Sequence, residues 1–125
     1  MIIDTDVLIW YLRGNNNAKK IINESIPFKI SMVSYAELIQ GIRDKKELKI
    51  LQKYLKNWST EIIQVNENIS TRAMFLVEDF YLSHSLEFAD AVIAATVLEK
   101  QEILLTANYK HYSFIPNIQI NRFKP

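Results

Sequence analysis

The amino-acid sequence predicts an α/β fold, an α/β/α sandwich on a short, mainly parallel central sheet. Short apolar runs alternate with longer stretches of helical periodicity, the order that builds a parallel sheet covered on both faces. The first run, Met1 to Asp4, is continuously apolar up to its acid rather than alternating, as a strand buried on both faces requires. Acids also fall where core is expected. Asp4 and Asp6 end the first run, Glu37 lies in Ser-Tyr-Ala-Glu-Leu-Ile-Gln-Gly, and Asp90 lies in Phe-Ala-Asp-Ala-Val-Ile-Ala-Ala-Thr. Ligand sites of parallel sheets lie beyond the carboxyl ends of the strands, which is where Asp4 and Asp6 fall.

Residues 1–4 make the first strand. Val7, Leu8, Trp10 and Tyr11 follow at helical spacing, and Gly14 with the Asn15–Asn17 run stops them. Ala18 to Asn23 is a short helix closed before Pro27, and Phe28 to Ser31 is a second strand. Ala36, Leu38, Ile39 and Ile42 return to helical spacing, with Ser34 as N-cap and Glu37 completing a capping box. Asp44 to Trp58 is a charged amphipathic helix whose apolar face is Leu48, Leu51, Tyr54 and Leu55, and Glu61 to Val65 is a third strand. The stripe Ile69, Ala73, Leu76, Val77, Phe80 marks a long helix. Ala89 to Leu98, apolar on nearly every face, marks one buried between other elements. Ile103 to Thr106 and Ile118 to Ile120 are the last strands, with Thr106 and Asn108 at the end of the first of them. No repeat, low-complexity tract or linker divides the chain, so residues 1–125 are expected to form a single domain.

Composition narrows the function. A formal net charge of +1 rules out gripping nucleic acid by overall positivity, and leaves room for a local basic rim around an acidic pocket. Without cysteine there is no disulfide, thiolate nucleophile or zinc-thiolate site, which fits a reducing cytoplasm. No apolar run reaches the roughly 18 residues of a membrane span, and no signal peptide opens the sequence. A cytoplasmic protein without membrane contact is the expectation.

Carboxylates are rarely buried unless paired or holding a metal, so Asp4, Glu37 and Asp90 suggest oxygen ligands around a hard cation such as Mg²⁺. Other chemistries fit poorly. The two glycines, Gly14 and Gly41, are too far apart for a dinucleotide loop. A phosphorelay receiver would need an acceptor Asp after the third strand, where Val65, Asn66 and Glu67 stand instead. His84 and His111 have no nucleophile-elbow serine to serve. Metal-assisted phosphodiester cleavage remains, with Mg²⁺ or Mn²⁺ activating a water and no protein nucleophile required. Each acid also has a plainer reading: Asp4 as a helix cap, Glu37 as a capping-box partner, Asp90 as an answer to a helix dipole.

Four blocks in order carry a resemblance over almost the whole chain. They are Ile-Ile-Asp-Thr-Asp-Val-Leu-Ile, Ser-Tyr-Ala-Glu-Leu-Ile-Gln-Gly, Leu-Glu-Phe-Ala-Asp-Ala-Val-Ile-Ala-Ala-Thr and Leu-Leu-Thr-Ala-Asn-Tyr-Lys-His-Tyr. With them the chain resembles the PIN-domain proteins, and among these the small VapC-type ribonuclease toxins of toxin–antitoxin pairs. The resemblance implies a PIN-like sandwich and a Mg²⁺- or Mn²⁺-dependent endoribonuclease whose metal is held by Asp4, Glu37 and Asp90. It also implies a cognate antitoxin and a homodimer, and an RNA substrate in a single-stranded or loop region suits the chemistry, since unstacked backbone can bend into a recessed site. His111 stands where many relatives carry a fourth acid, which leaves one metal or two open, with Asp6 as a compensating charge. Asp6, Thr106, Asn108, Lys110 and His111 are therefore expected around the ligands or against the substrate phosphate. The rival readings are a DNA flap or exonuclease on a similar acidic platform, and a degenerate domain that binds RNA or a partner without cutting.

Overall fold

The computed structural model describes all of residues 1–125. Its five strands are β1 (Ile2–Ile3), β2 (Lys29–Ser31), β3 (Glu61–Ile63), β4 (Ile103–Thr106) and β5 (Gln119–Arg122). They pair in the order β3-β2-β1-β4-β5, every pair parallel. Seven helices complete the chain: α1 (Thr5–Leu12), α2 (Asn16–Ser25), α3 (Met32–Gln40), α4 (Lys45–Asn57), α5 (Glu67–His84), α6 (Phe88–Lys100) and α7 (Tyr109–Tyr112).

The strand alternation sorts the core into two layers. Ile2 and Leu104 face a cluster built with Ile69, Ala73 and Leu76 of α5 and the run Ala91–Ala95 of α6. Their neighbours Ile3 and Leu105 face the opposite cluster, with Val7 and Leu8 of α1, Ile22 of α2 and Leu51 and Leu55 of α4. The expected α/β/α sandwich is therefore present. Helix α6 is buried all round from Ala91 to Val97, as its sequence predicted.

The topology reverses beside β1. From that strand the chain moves outward through β2 to β3, then returns to lay β4 on the other side of β1. The opening between the carboxyl ends of β1 and β4 is a topological switch point, the place where such sheets bind ligands. Asp4 follows β1 directly and Thr106 ends β4, so the two lie at its mouth.

Several boundaries differ from expectation, each for a local reason. Helix α3 starts at Met32, straight out of β2, so its cap is Ser31, whose hydroxyl accepts from the Val33 N–H at 3.1 Å. Ser34 lies inside the first turn with a buried hydroxyl that has no partner, and the capping box with Glu37 does not form. Strand β3 stops at Ile63 rather than Val65, and β5 runs to Arg122 rather than ending at Ile120. Helix α7 was not expected, because a single turn leaves no periodicity to read.

Candidate active site

Strand β1 carries Asp4 to the switch point and the sheet ladder still holds its backbone, the Asp4 N–H donating to the Leu105 carbonyl at 2.9 Å. Asp4 then caps α1, as the plainer reading of it foresaw, its Oδ1 accepting from the Thr5 N–H at 2.8 Å. Its Oδ2 accepts from the Thr106 hydroxyl at 2.8 Å, so one carboxylate ties β4 to the start of α1. The residue is only 4% exposed. Burial first, and then the charge of Asp6, push its pKa up to about 7, against the bonds from Thr106 and Thr5; Asp90 adds a smaller upward push.

Asp6 is held from both sides by backbone. Its Oδ1 accepts from the Val7 N–H at 2.8 Å and its Oδ2 from the Ala107 N–H at 2.9 Å. Burial still raises its pKa against those bonds. Glu37, expected within a core stretch, is exposed instead, because α3 turns Leu38 into the core and Glu37 away from it. Its Oε1 accepts from the Thr5 hydroxyl at 2.7 Å. Thr5 thereby serves two acids, Asp4 through its N–H and Glu37 through its side chain.

Asp90 is half-buried in the first turn of α6. The Tyr112 hydroxyl donates to its Oδ1 at 3.2 Å, and Nδ1 of His111 lies 3.1 Å from its Oδ2. Asn108 and Lys110 are exposed; the Asn108 N–H donates to the Thr106 hydroxyl oxygen at 3.0 Å. The structure thus joins Asp4, Asp6 and Thr106 directly, links Glu37 to them through Thr5, and sets Asp90 near enough for its charge to act on Asp4. The sequence reading missed Thr5 and Tyr112. Thr5 stood in plain view between the two acids of Asp-Thr-Asp, whereas no sequence pattern marks Tyr112.

The donor set suits a hard divalent cation. Every nearby acid offers oxygen, and no lysine or arginine ion pair involves Asp4, Asp6, Glu37 or Asp90. Burial, and after it the charges of Asp6 and Asp90, raise the pKa of Asp4. No three acidic or histidine side chains form a ready-made ligand group, and Glu37, the exposed acid, is the one free to swing toward an ion held by the others. Beside Glu37 a cleft of about 510 Å³ runs between α1, α3 and α4, lined by Ile9, Leu12, Leu38 and Ile42 with Arg13 and Arg43.

Comparison with known proteins identifies the family of the chain and its fold. The profile of the PIN domain family matches residues 1–114. A protein named Ribonuclease VapC10, from Mycobacterium tuberculosis, is 30% identical over 126 residues, covering 95% of this chain and 90% of that protein. Among solved structures, a toxin–antitoxin complex from Klebsiella pneumoniae contains a chain 26% identical to this one. It superposes with a TM-score of 0.75 over 94% of this chain and 93% of the other. DNA-bound VapBC from Salmonella typhimurium has a TM-score of 0.84 at 16% identity, covering 97% and 96% of the two chains, a likeness of fold.

Proposed function

The chain belongs to the PIN domain family, and from that premise we propose that it is the toxin of a toxin–antitoxin pair, an endoribonuclease working with Mg²⁺ or Mn²⁺. The observation that carries this is the carboxylate of Asp4, buried at the sheet's switch point near the charges of Asp6 and Asp90, none of the three paired with a lysine or arginine. The likeness to a named ribonuclease and to a toxin–antitoxin complex supports RNA as substrate and an antitoxin as partner.

Asp4, Glu37 and Asp90 hold the metal. When bound, the ion supplies an activated water and stabilises charge on the scissile phosphate. Thr106 and Thr5 fix the direction of Asp4, and Asp6, clasped by backbone N–H groups, adds negative charge from beside it rather than a ligand. One of the three carboxylates takes up the proton of the attacking water. Lys110 and His111, exposed neighbours on α7 with His111 3.1 Å from Asp90, serve as phosphate contacts, with Asn108 at the start of the same helix. An unpaired RNA loop can bend its backbone into a recessed site of this kind.

The antitoxin takes the apolar cleft beside Glu37, where Ile9 and Leu12 stand exposed. A second copy of the chain covers the face that shows Met74, Phe75 and Leu82, the last of them 94% exposed. No helix is long and apolar enough to cross a membrane. The cytoplasm, where RNA and antitoxin are made, is the proposed location.

Incubating the purified protein with single-stranded RNA and with flap DNA, in Mg²⁺, Mn²⁺ or chelator, tests the reading. RNA cleavage that needs the metal is the expected result. Cleavage confined to DNA would favour a flap or exonuclease, and RNA binding without cleavage would mark a degenerate domain.

A further inference from the structure

Tyr112 has no place in the ligand set proposed above, yet its hydroxyl bonds one member of that set from inside the core. Its ring is fully buried in the core layer formed with α5 and α6. A phenylalanine would fill that space equally well. A hydroxyl at the tip of a fully buried ring needs a partner, and the partner here is a carboxylate, Oδ1 of Asp90 at 3.2 Å. We propose that Tyr112 is a positioning residue: its immobile hydroxyl fixes the carboxylate of Asp90 so that it faces the same metal as Asp4.

The rest of the 106–112 segment supports that role. Thr106 bonds Asp4, the Ala107 N–H bonds Asp6, and Tyr112 bonds Asp90. One short stretch of chain therefore sets the directions of Asp4, which follows β1, Asp6 of α1 and Asp90 of α6. His111 also reaches Asp90, but its side chain is 56% exposed and free to swing, whereas the Tyr112 ring is locked by packing. Groups that orient metal ligands in this way commonly govern affinity without touching the ion.

This role rests on the reading of Asp90 as a metal ligand, and the test separates the two. Calorimetric titration with Mn²⁺ in the absence of RNA is run on wild type, Tyr112→Phe and Asp90→Asn, together with melting curves of each metal-free protein. Tyr112→Phe is expected to weaken Mn²⁺ binding about tenfold. It should shift the Mn²⁺ midpoint of RNA cleavage to match, with lost cleavage returning as Mn²⁺ is raised. Wild-type affinity in Tyr112→Phe beside lost affinity in Asp90→Asn would overturn the role of Tyr112 alone. A lowered melting temperature with unmoved Mn²⁺ affinity would reduce Tyr112 to a packing residue and overturn it too. Wild-type affinity in Asp90→Asn would remove the metal reading of Asp90, and the role of Tyr112 with it.

Discussion

The hydroxyl of Thr106 donates a 2.8 Å hydrogen bond to Oδ2 of Asp4 across 102 positions of sequence. That contact closes the mouth of the switch point. It joins the end of β4 to the end of β1, and it gives a buried carboxylate a fixed orientation before any ligand arrives. Its partner on the other oxygen, the Thr5 N–H, belongs to the helix that Asp4 itself caps.

Thr106→Val keeps the shape of the side chain and removes that donor. The buried carboxylate then loses one of its two partners, which should cost about 1–3 kcal/mol of stability where Asp4 is ionised. Below the raised pKa of Asp4 the acid is neutral and the loss should shrink. Urea denaturation of metal-free protein at pH 8 and pH 5 checks this; an equal loss at both would mean the bond is not to an ionised Asp4.

The raised pKa of Asp4 also fixes the sign of the stability profile. Its carboxyl moves from the ordinary 3.8 to about 7 on folding, through burial and the charge of Asp6. Between those values the folded state binds more protons than the unfolded state, so stability must fall as pH rises through that window. The full loss is of order 4 kcal/mol. Metal-free wild type should therefore melt lower at pH 7.5 than at pH 5, and Asp4→Asn should flatten the slope. Because metal needs the ionised carboxylate, Mn²⁺ affinity should rise over the same window. A wild-type slope as flat as the variant's would show that Asp4 is not the group responsible.

The places of Asp4 and Asp90 in the fold were legible because an acid within apolar sequence is conspicuous: Asp4 ends the apolar run of β1, and Asp90 opens a helix apolar all round. The alternation of elements gave all five strands for the same reason, since period and continuity survive in the sequence. What stayed hidden depends on contacts between distant segments. Ser31 caps α3 because β2 enters it without a loop, and nothing local distinguishes Ser31 from Ser34. Glu37 looked internal among Ala36, Leu38 and Ile39, yet one helical position separates a buried side chain from an exposed one. Tyr112 reads as one more aromatic until the fold sets its hydroxyl on Asp90.

His111 stands close to Asp90 but on the solvent side, 56% exposed. As a phosphate contact it should be dispensable for the metal. His111→Ala should reduce RNA cleavage several-fold while Mn²⁺ affinity falls by less than the roughly tenfold that loss of a supporting partner costs. A loss of affinity of about tenfold or more would make His111 a ligand instead.

The cleft between α1 and α4 provides a test of the partner. Leu12 is exposed at its edge, so a charge there should leave the fold intact. Leu12→Asp should weaken binding of the cognate antitoxin by at least about tenfold through loss of a buried apolar contact. It should leave metal-dependent RNA cleavage within reach of wild type. Unchanged antitoxin affinity would move the interface elsewhere.

The reading rests most heavily on Asp4, Glu37 and Asp90 holding the divalent metal that RNA cleavage needs. The most direct measurement is the RNA cleavage rate of wild type and Asp90→Asn across a Mn²⁺ series, with folding of both checked by circular dichroism. The account predicts metal-dependent cleavage by wild type and loss of at least about a hundredfold in the variant, as expected when a group of the reacting site is removed. Folded Asp90→Asn that cuts RNA at the wild-type rate, at the same Mn²⁺ midpoint, would contradict it.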